Sequence, residues 1–313
     1  VSSPERAADS LEINRIVFGQ EFADNNPCVI NMINPNSPLK WDVGMSEAIR
    51  MYAQHNQANL ISSFVIAGAS GPVTVAGVLA MSLAETMAGM AYAQLVRPGA
   101  PVIMGFLMMG MDMRSGAPVR FGETWTGLVV GGQLARRLGV PYRCGGSSTT
   151  AKVLDYQAGS ESAFYLTYSI LSGVNFLVHA TGNMEGGLGI SYEKFVLDLD
   201  LLGSMGRFLE GIPLDETAFA LDALREAGPG GNLLGTGHTF DRFESAFFMS
   251  DLFDASSFEQ WKAGGSAEAV DRARLRLDQM LAAYEKPPID DAVLAELDDF
   301  IGRRKSELPD MYH

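Results

Sequence analysis

Several things are scarce in this 313-residue chain, and each scarcity excludes something. Lysine and arginine number 23 against 37 aspartates and glutamates, a net charge of −14. That balance repels phosphate backbones and argues against nucleic acid; it favours solubility and, among ligands, cations. Only two cysteines occur, Cys28 and Cys144. They are too few and too far apart for a disulfide framework or a C-x-x-C site, so a reducing, cytoplasmic setting is expected. No uninterrupted apolar run reaches the roughly 18 residues of a membrane span. The most apolar part, residues 60–110, is broken by Gly71-Pro72, Glu85, Arg97 and Pro98, and no membrane association or signal peptide is expected. Also missing are a Walker sequence, a G-x-G-x-x-G after a strand and a G-x-S-x-G elbow, which removes support for nucleotide binding and for a serine nucleophile.

What is present is a recurring unit. Runs rich in β-branched and aromatic residues occur at "CVINMI", "LISSFVIAG", "PVIMGF", "VPYRCGG" and "NFLVHATG", centred near Ile30, Phe64, Val102, Tyr142 and Leu177. Helical patterns at 46–56, 72–95, 124–138 and 160–171 separate them, and another follows at 192–209. A sixth strand is expected at "GGNLLGTGH", near Leu233. Apolar strands alternating with helices imply a parallel sheet. Links entering strands are short, as in "VRPGAP", whereas links leaving them are long and glycine-rich, as in "HATGNMEGGLGIS". That asymmetry predicts a TIM (β/α)8 barrel with its site in the loops at the strands' C-terminal ends. An open doubly wound sheet is the alternative. Six units are two fewer than a closed barrel needs, so the barrel is expected to be incomplete at its N-terminus. Residues 1–263 are assigned to it. Residues 264–313 read as a helical extension, a cap or dimerisation arm compatible with a homo-oligomer.

The loop after the third strand offers Asp112 and Arg114 beside Met104, Met108, Met109 and Met111, as either a local ion pair or a substrate contact. The next loop carries Lys152, Tyr156, Gln157 and Glu161, with Gly145 and Gly146 able to let backbone approach a ligand; a plain flexible loop is the other reading. Glu161 is placed in the first turn of the following helix. His179 on the fifth strand faces either the interior or the outer helices. Glu185, among glycines at the end of an apolar strand, is a carboxylate easily desolvated. His238 repeats the pattern on the sixth strand. Cys144, His179, Glu185 and His238 follow no metal-binding spacing, and no metal is expected.

In this order, "AQLVRPGAPVI", "MDMRSGAP", "GQLARRLGVPYR", "KVLDYQAGSES", "HATGNMEGGL" and "SYEKFVLD" resemble the trimethylamine methyltransferase family, strongly over residues 71–198 and weakly to the C-terminus. The resemblance implies a (β/α)8 barrel that transfers a methyl group from a methylated amine to a corrinoid protein. No cofactor would be tightly bound, because the partner supplies the cobalamin. Archaeal members carry pyrrolysine; this sequence does not, and offers an ordinary Lys152 in the comparable loop region. It is therefore similar to pyrrolysine-lacking members, which look like quaternary-amine enzymes acting on glycine betaine and similar betaines. On that reading Tyr142, Phe106, Tyr156, Glu185 and Asp112 hold the cation, and Arg114 or Lys152 takes a carboxylate tail. Glu185, Asp112 and Lys152 are the catalytic candidates; Gln157, Glu161, His179 and His238 are expected to line the substrate site. Rival readings are a zinc-dependent methyltransferase or hydrolase and a non-catalytic betaine binder.

Overall fold

A computed structural model describes residues 3–120 and 122–308. Helices α1 (Pro4–Phe18) and α2 (Gln20–Asn25) precede strand β1 (Ile30–Ile33). Next come α3 (Val43–Gln54), β2 (Ala58–Ile66), α4 (Val75–Val96) and β3 (Val102–Met111). The dipeptide strand β4 (Pro118–Val119) leads into α5 (Gly122–Leu138), β5 (Tyr142–Gly145), α6 (Tyr156–Leu171) and β6 (Phe176–Val178). The expected strands and helices of this region are all found, within a few residues at their ends.

Local chemistry sets the helix starts. The Asp42 carboxylate accepts from the Met45 amide at 2.7 Å to cap α3, and Asp155 does the same for α6 from the Ala158 amide at 3.1 Å. Strands β1, β2, β3, β5 and β6 lie side by side in chain order, all parallel, and curl into a half-barrel; β4 folds back antiparallel on β3. Helices α3, α4, α5 and α6 pack against one another in succession and against the sheet. Sequential order with the helices on one face does not fit a doubly wound sheet, whose order reverses and whose faces are both covered. On the opposite, inner face Ile30, Met32, Phe64 and Phe176 are 39–44% exposed.

Alternation along each strand divides the residues cleanly. Ile61, Val65, Met104, Phe106, Tyr142 and Cys144 belong to the core between sheet and helices. The inner row Ser62–Gly105–Arg143–Phe176 is in register across four strands. A Cβ on Gly105 would lie 2.3 Å from that of Ser62, so this row is passable only with glycine in the middle. Over that gap the Arg143 guanidinium reaches from β5 to the Ser62 hydroxyl on β2, at 3.2 Å.

Buried polar groups in the outer layer are well served. Glu85, 2% exposed on α4, accepts from the hydroxyls of Ser37 and Ser63 at 2.9 and 2.7 Å and from the Leu39 amide at 2.8 Å. It ties the β1–α3 loop to β2. Helix α4 spans 22 residues and is long and apolar enough to cross a membrane, contrary to the reading of its interrupted sequence. Gly71-Pro72 and Pro98 fall outside the helix, and the polar residues within it are too few to lower its hydropathy. Part of its apolar surface is covered by β2, β3 and the flanking helices, while Met87 and Leu95 are exposed.

The chain divides into two compact units, residues 1–189 with 283–313, and residues 190–282. The boundary expected at 263/264 falls inside the second unit. The first unit holds the half-barrel, the short strand β7 (Asn183–Met184) and the last helix, α13 (Asp291–Glu307), whose Arg304 pairs with Asp9 of α1 at 2.6 Å. In the second unit α7 (Tyr192–Leu209) packs on α12 (Ala269–Ala282). The sixth strand expected near Leu233 is instead a 3₁₀ turn, Leu233–Gly235, followed by a short helix, Gly237–Phe240. Asn232 and Thr236 cap these turns through their side chains, to the Leu234 and Thr239 amides, and so offset the β-like run of apolar residues.

Candidate functional site

At the C-terminal end of the half-barrel, a cavity of about 180 Å³ lies over the strand ends. Its walls are Phe64 from β2, Leu107 from β3, Gly145 from β5 and Tyr165 from α6, with Arg120, Ser148, His179, Asn183, Gly186 and Gly187 from the loops. Each wall has a local cause. The β3–β4 hairpin pairs Gly110 with Val119 and thereby delivers Arg120, 4% exposed, to the cavity. Its guanidinium carbon sits 4.5 Å above the Tyr165 ring centroid, a cation–π contact. Tyr165 reaches the cavity because Gly145 has no side chain; a Cβ there would be 2.1 Å from the Tyr165 oxygen. Gly146 similarly makes room for Ala180. These two glycines admit protein atoms, where the sequence suggested ligand.

The "GGSSTT" loop is fixed in place. Ser147, Ser148, Thr149 and Thr150 are buried, and Glu161 holds them from α6. Its carboxylate accepts from the hydroxyls of Thr149 and Thr150 at 2.8 and 3.0 Å and from the Gln157 amide group at 2.9 Å. Glu161 lies in the second turn of α6, because Asp155 caps that helix earlier than expected. The 183–187 segment then docks on this loop through a Ser148–Asn183 bridge and the Gly186 amide, which donates to the Thr149 carbonyl at 2.8 Å.

His179 just beyond β6 adopts a left-handed backbone, φ 57°, and lines the cavity. Its Nδ1 is 3.1 Å from Nη2 of Arg143. Arginine can only donate, so Nδ1 accepts and the ring proton resides on Nε2. Burial, then the charges of Arg143 and Arg120, hold the imidazole below its ordinary value of 6.5, which keeps it neutral near pH 7. Arg143 itself is 1% exposed. Nε of Arg143, and Nε and Nη1 of Arg120, are buried without a hydrogen-bond partner. Among the described residues no carboxylate forms an ion pair with either.

Of the eleven side chains proposed from sequence as catalytic or substrate-binding, His179 alone lines this cavity. Phe106 and Tyr142, expected at the mouth, face outward beneath α5. A Cβ on Gly131 would meet both, and the Tyr142 hydroxyl donates to the Leu128 carbonyl at 3.1 Å. Strand alternation is the reason, and it puts Arg143 on the inner face between Tyr142 and Cys144. Asp112 accepts from the Arg114 amide and the Ser115 hydroxyl, both at 2.9 Å, and caps its own turn. Those hydrogen bonds, the backbone one foremost, lower its pKa. Arg114 is exposed, and its backbone amide rather than its guanidinium meets Asp112. Asp112 lines a separate 560 Å³ crevice with Met108 and Met111, between the β2–α4 and β3–α5 loops, while Met104 and Met109 are buried.

Lys152 is exposed and donates to the Thr150 carbonyl at 2.8 Å; Tyr156 is 91% exposed. Gln157 braces Glu161. Glu185 is exposed at the rim, not desolvated, in a left-handed conformation with φ 51°. Its amide donates to the Ala151 carbonyl at 3.1 Å. His238 belongs to the second unit, on a short helix. Cys144 faces the helix layer, and burial pushes its thiol up to about 11, which disfavours the thiolate a metal needs. No three histidine, cysteine, aspartate or glutamate side chains among the described residues cluster as a metal site.

Arg120 and Arg143 escaped the sequence reading. The signal for Arg143 was there, a charged residue alternating with two outward apolar ones in "PYRCG". Arg120 depends on a hairpin that the sequence reading did not foresee.

Comparison with known proteins covers nearly the whole chain. The family model described as trimethylamine methyltransferase (MTTB) matches residues 1–309, well beyond the 71–198 in which the motifs concentrate. A glycine betaine methyltransferase from Desulfitobacterium hafniense (strain Y51) is 38% identical over 97% of this chain and 64% of its own length. The trimethylamine methyltransferase MttB of Methanosarcina barkeri (strain Fusaro / DSM 804) is 30% identical over 91% of the chain and 57% of its own. The chain thus spans less than two thirds of the length of these relatives. A match along 1–309 and shared identity on this scale place the chain in the trimethylamine methyltransferase family.

Proposed function

We propose that this chain forms the substrate cavity of an enzyme that moves a methyl group from a methylated amine to a corrinoid protein. The half-barrel is read as part of a closed (β/α)8 barrel, for which sequential parallel strands, one-sided helices and an exposed inner face are the support. The observation that carries the functional reading is the cavity's chemistry. It is small, sits at the strands' C-terminal ends, and among the described residues has no carboxylate, lysine or cysteine in its wall. A quaternary ammonium has no proton to lose, so transfer of its methyl group calls for orientation and exclusion of water rather than an acid–base pair.

The acceptor, Co(I) of a corrinoid carried by a partner protein, supplies the nucleophile. The chain's part is positional. Phe64 and Leu107 present an apolar wall to the methyl groups, and Phe64, 40% exposed, offers a ring to the cation. Neutral His179 turns its Nε2–H away from Arg143 as a donor that involves no proton exchange. Exposed Glu185 adds a negative charge at the rim, which draws cations toward the mouth. As the methyl leaves, the nitrogen becomes a neutral amine, so a site that grips the cation weakly favours transfer over ground-state binding.

Methylation of cob(I)alamin by the full-length protein, tested with glycine betaine, trimethylamine and choline, is the direct experiment. Transfer from one or more of these amines is expected. Binding without transfer would leave the non-catalytic binder; activity lost with stoichiometric zinc would establish the metal-dependent rival.

A further inference from the structure

The two arginines at the cavity are the feature that the methyl-transfer reading leaves unused. A buried charge without a counter-charge is costly, and a protein bearing that cost twice around one site is built for something that offsets it. Arg120 and Arg143 are 4% and 1% exposed, and three of their nitrogens have no partner. Arg143 is fixed from both sides, by Ser62 and by His179. Arg120 is fixed by the Tyr165 ring below it. Both guanidiniums are therefore held in place before any ligand arrives, and the 180 Å³ cavity that Arg120 lines admits only a small molecule.

We propose that Arg120 and Arg143 form an anion-binding end of this cavity that takes the carboxylate of a small zwitterionic quaternary amine. The inference rests on the methyl-transfer reading for the cationic half of the ligand; the anionic half rests on the arginines alone. A carboxylate suits them because planar, forked donors pair with it bidentately. Arg120 lines the cavity and makes the direct contact; Arg143 lies behind His179, which shares that wall, and adds its charge from there. A bare cation of similar shape is repelled by the two positive charges, so carboxylate capture also selects against amines that lack it. The role assigned from sequence to Arg114 or Lys152 passes to two residues that are buried and preorganised.

Calorimetric titration of the full-length protein with glycine betaine, choline and acetate tests this, alongside methylation of cob(I)alamin by the two amines. Choline keeps the trimethylammonium group and lacks the carboxylate; acetate is the converse. Glycine betaine is expected to bind roughly tenfold to a hundredfold more tightly than choline, the range for hydrogen bonds to charged groups. Acetate is expected to compete with it. Arg120→Met and Arg143→Met should each abolish the preference, with melting curves establishing that the variants are folded. If neither variant folds, the wild-type preference and acetate competition decide.

Equal binding of glycine betaine and choline overturns the anion site and leaves methyl transfer standing. So does a preference that survives in both folded variants, or a wild type that binds none of the three ligands. A carboxylate-dependent preference without methyl transfer from either amine does the opposite, supporting the anion site and removing the methyltransferase reading.

Discussion

Buried charge is handled in opposite ways on the two faces of the half-barrel. On the helix side Glu85 and Glu161 are 2% and 6% exposed, and each collects at least three donors from surrounding loops and strands. On the inner side and at the cavity, Arg143 and Arg120 are buried as deeply with nitrogens left over. A carboxylate surrounded by hydroxyls and amides is a structural clamp, complete in itself. A guanidinium held rigid but under-supplied with acceptors is a binding group. The signs matter too: in a chain of net charge −14 the cavity gathers positive charge.

That contrast is open to test by substitution. The largest expected effect is Glu85→Ala, which strands the Ser37 and Ser63 hydroxyls and the Leu39 amide; denaturant unfolding should show a loss of about 3 kcal/mol or more. Gly105→Ala comes next, near the upper end of the roughly 1–3 kcal/mol for overpacking, because its new carbon would collide with Ser62. Glu161→Gln, which turns an amide donor toward groups that themselves donate, should cost about 1–2 kcal/mol and increase amide exchange across residues 147–151. By contrast Arg143→Met in the ligand-free protein should change stability by less than about 1 kcal/mol or raise it, since it removes a costly charge. A loss as large as that of Glu85→Ala would make Arg143 a clamp like the others and erase the distinction.

The smallest effect is one of pH. The folded-state pKa of His179 lies below 6.5, so folding disfavours its protonation. Its stability contribution is complete above pH 6.5, the ordinary value, and is lost as pH falls from there through the folded-state value. The melting temperature of the wild type should therefore drop more steeply on acidification than that of His179→Gln. Parallel curves would show that neither burial nor the two arginines lowers the affinity of the imidazole for a proton.

Much of the architecture was legible in the sequence because period and punctuation carry it. Short apolar runs and the Gly- and Pro-bearing entries to strands mark their elements locally, whereas the capping aspartates before α3 and α6 went unread and the helix starts shifted with them. The stretch near Leu233 misled because its apolar residues match a strand, while Asn232 and Thr236 bond to nearby amides and wind it into turns. The site was less legible, for a different reason. Asp112 and Lys152 lie in loops at the strand ends and Glu161 on the helix that follows, yet such a position does not reveal which partners a side chain finds there. Each turned out to bind its own loop or the one beside it. Phe106 and Tyr142 could have been placed by counting alternate residues from Arg143. Arg120 depends on a two-residue strand that no periodicity announces.

The row Ser62–Gly105–Arg143 has a practical corollary for anyone wishing to retune the protein. Gly105 does not line the cavity and would be absent from any mutational library built on the residues that do. Its single hydrogen nonetheless sets the clearance under which a guanidinium crosses a whole strand. Exchanging charge preference therefore has to begin one layer beneath the visible wall: altered arginines over an intact Gly105 inherit the old geometry, whereas any bulk at that position moves the arginine before its chemistry is touched.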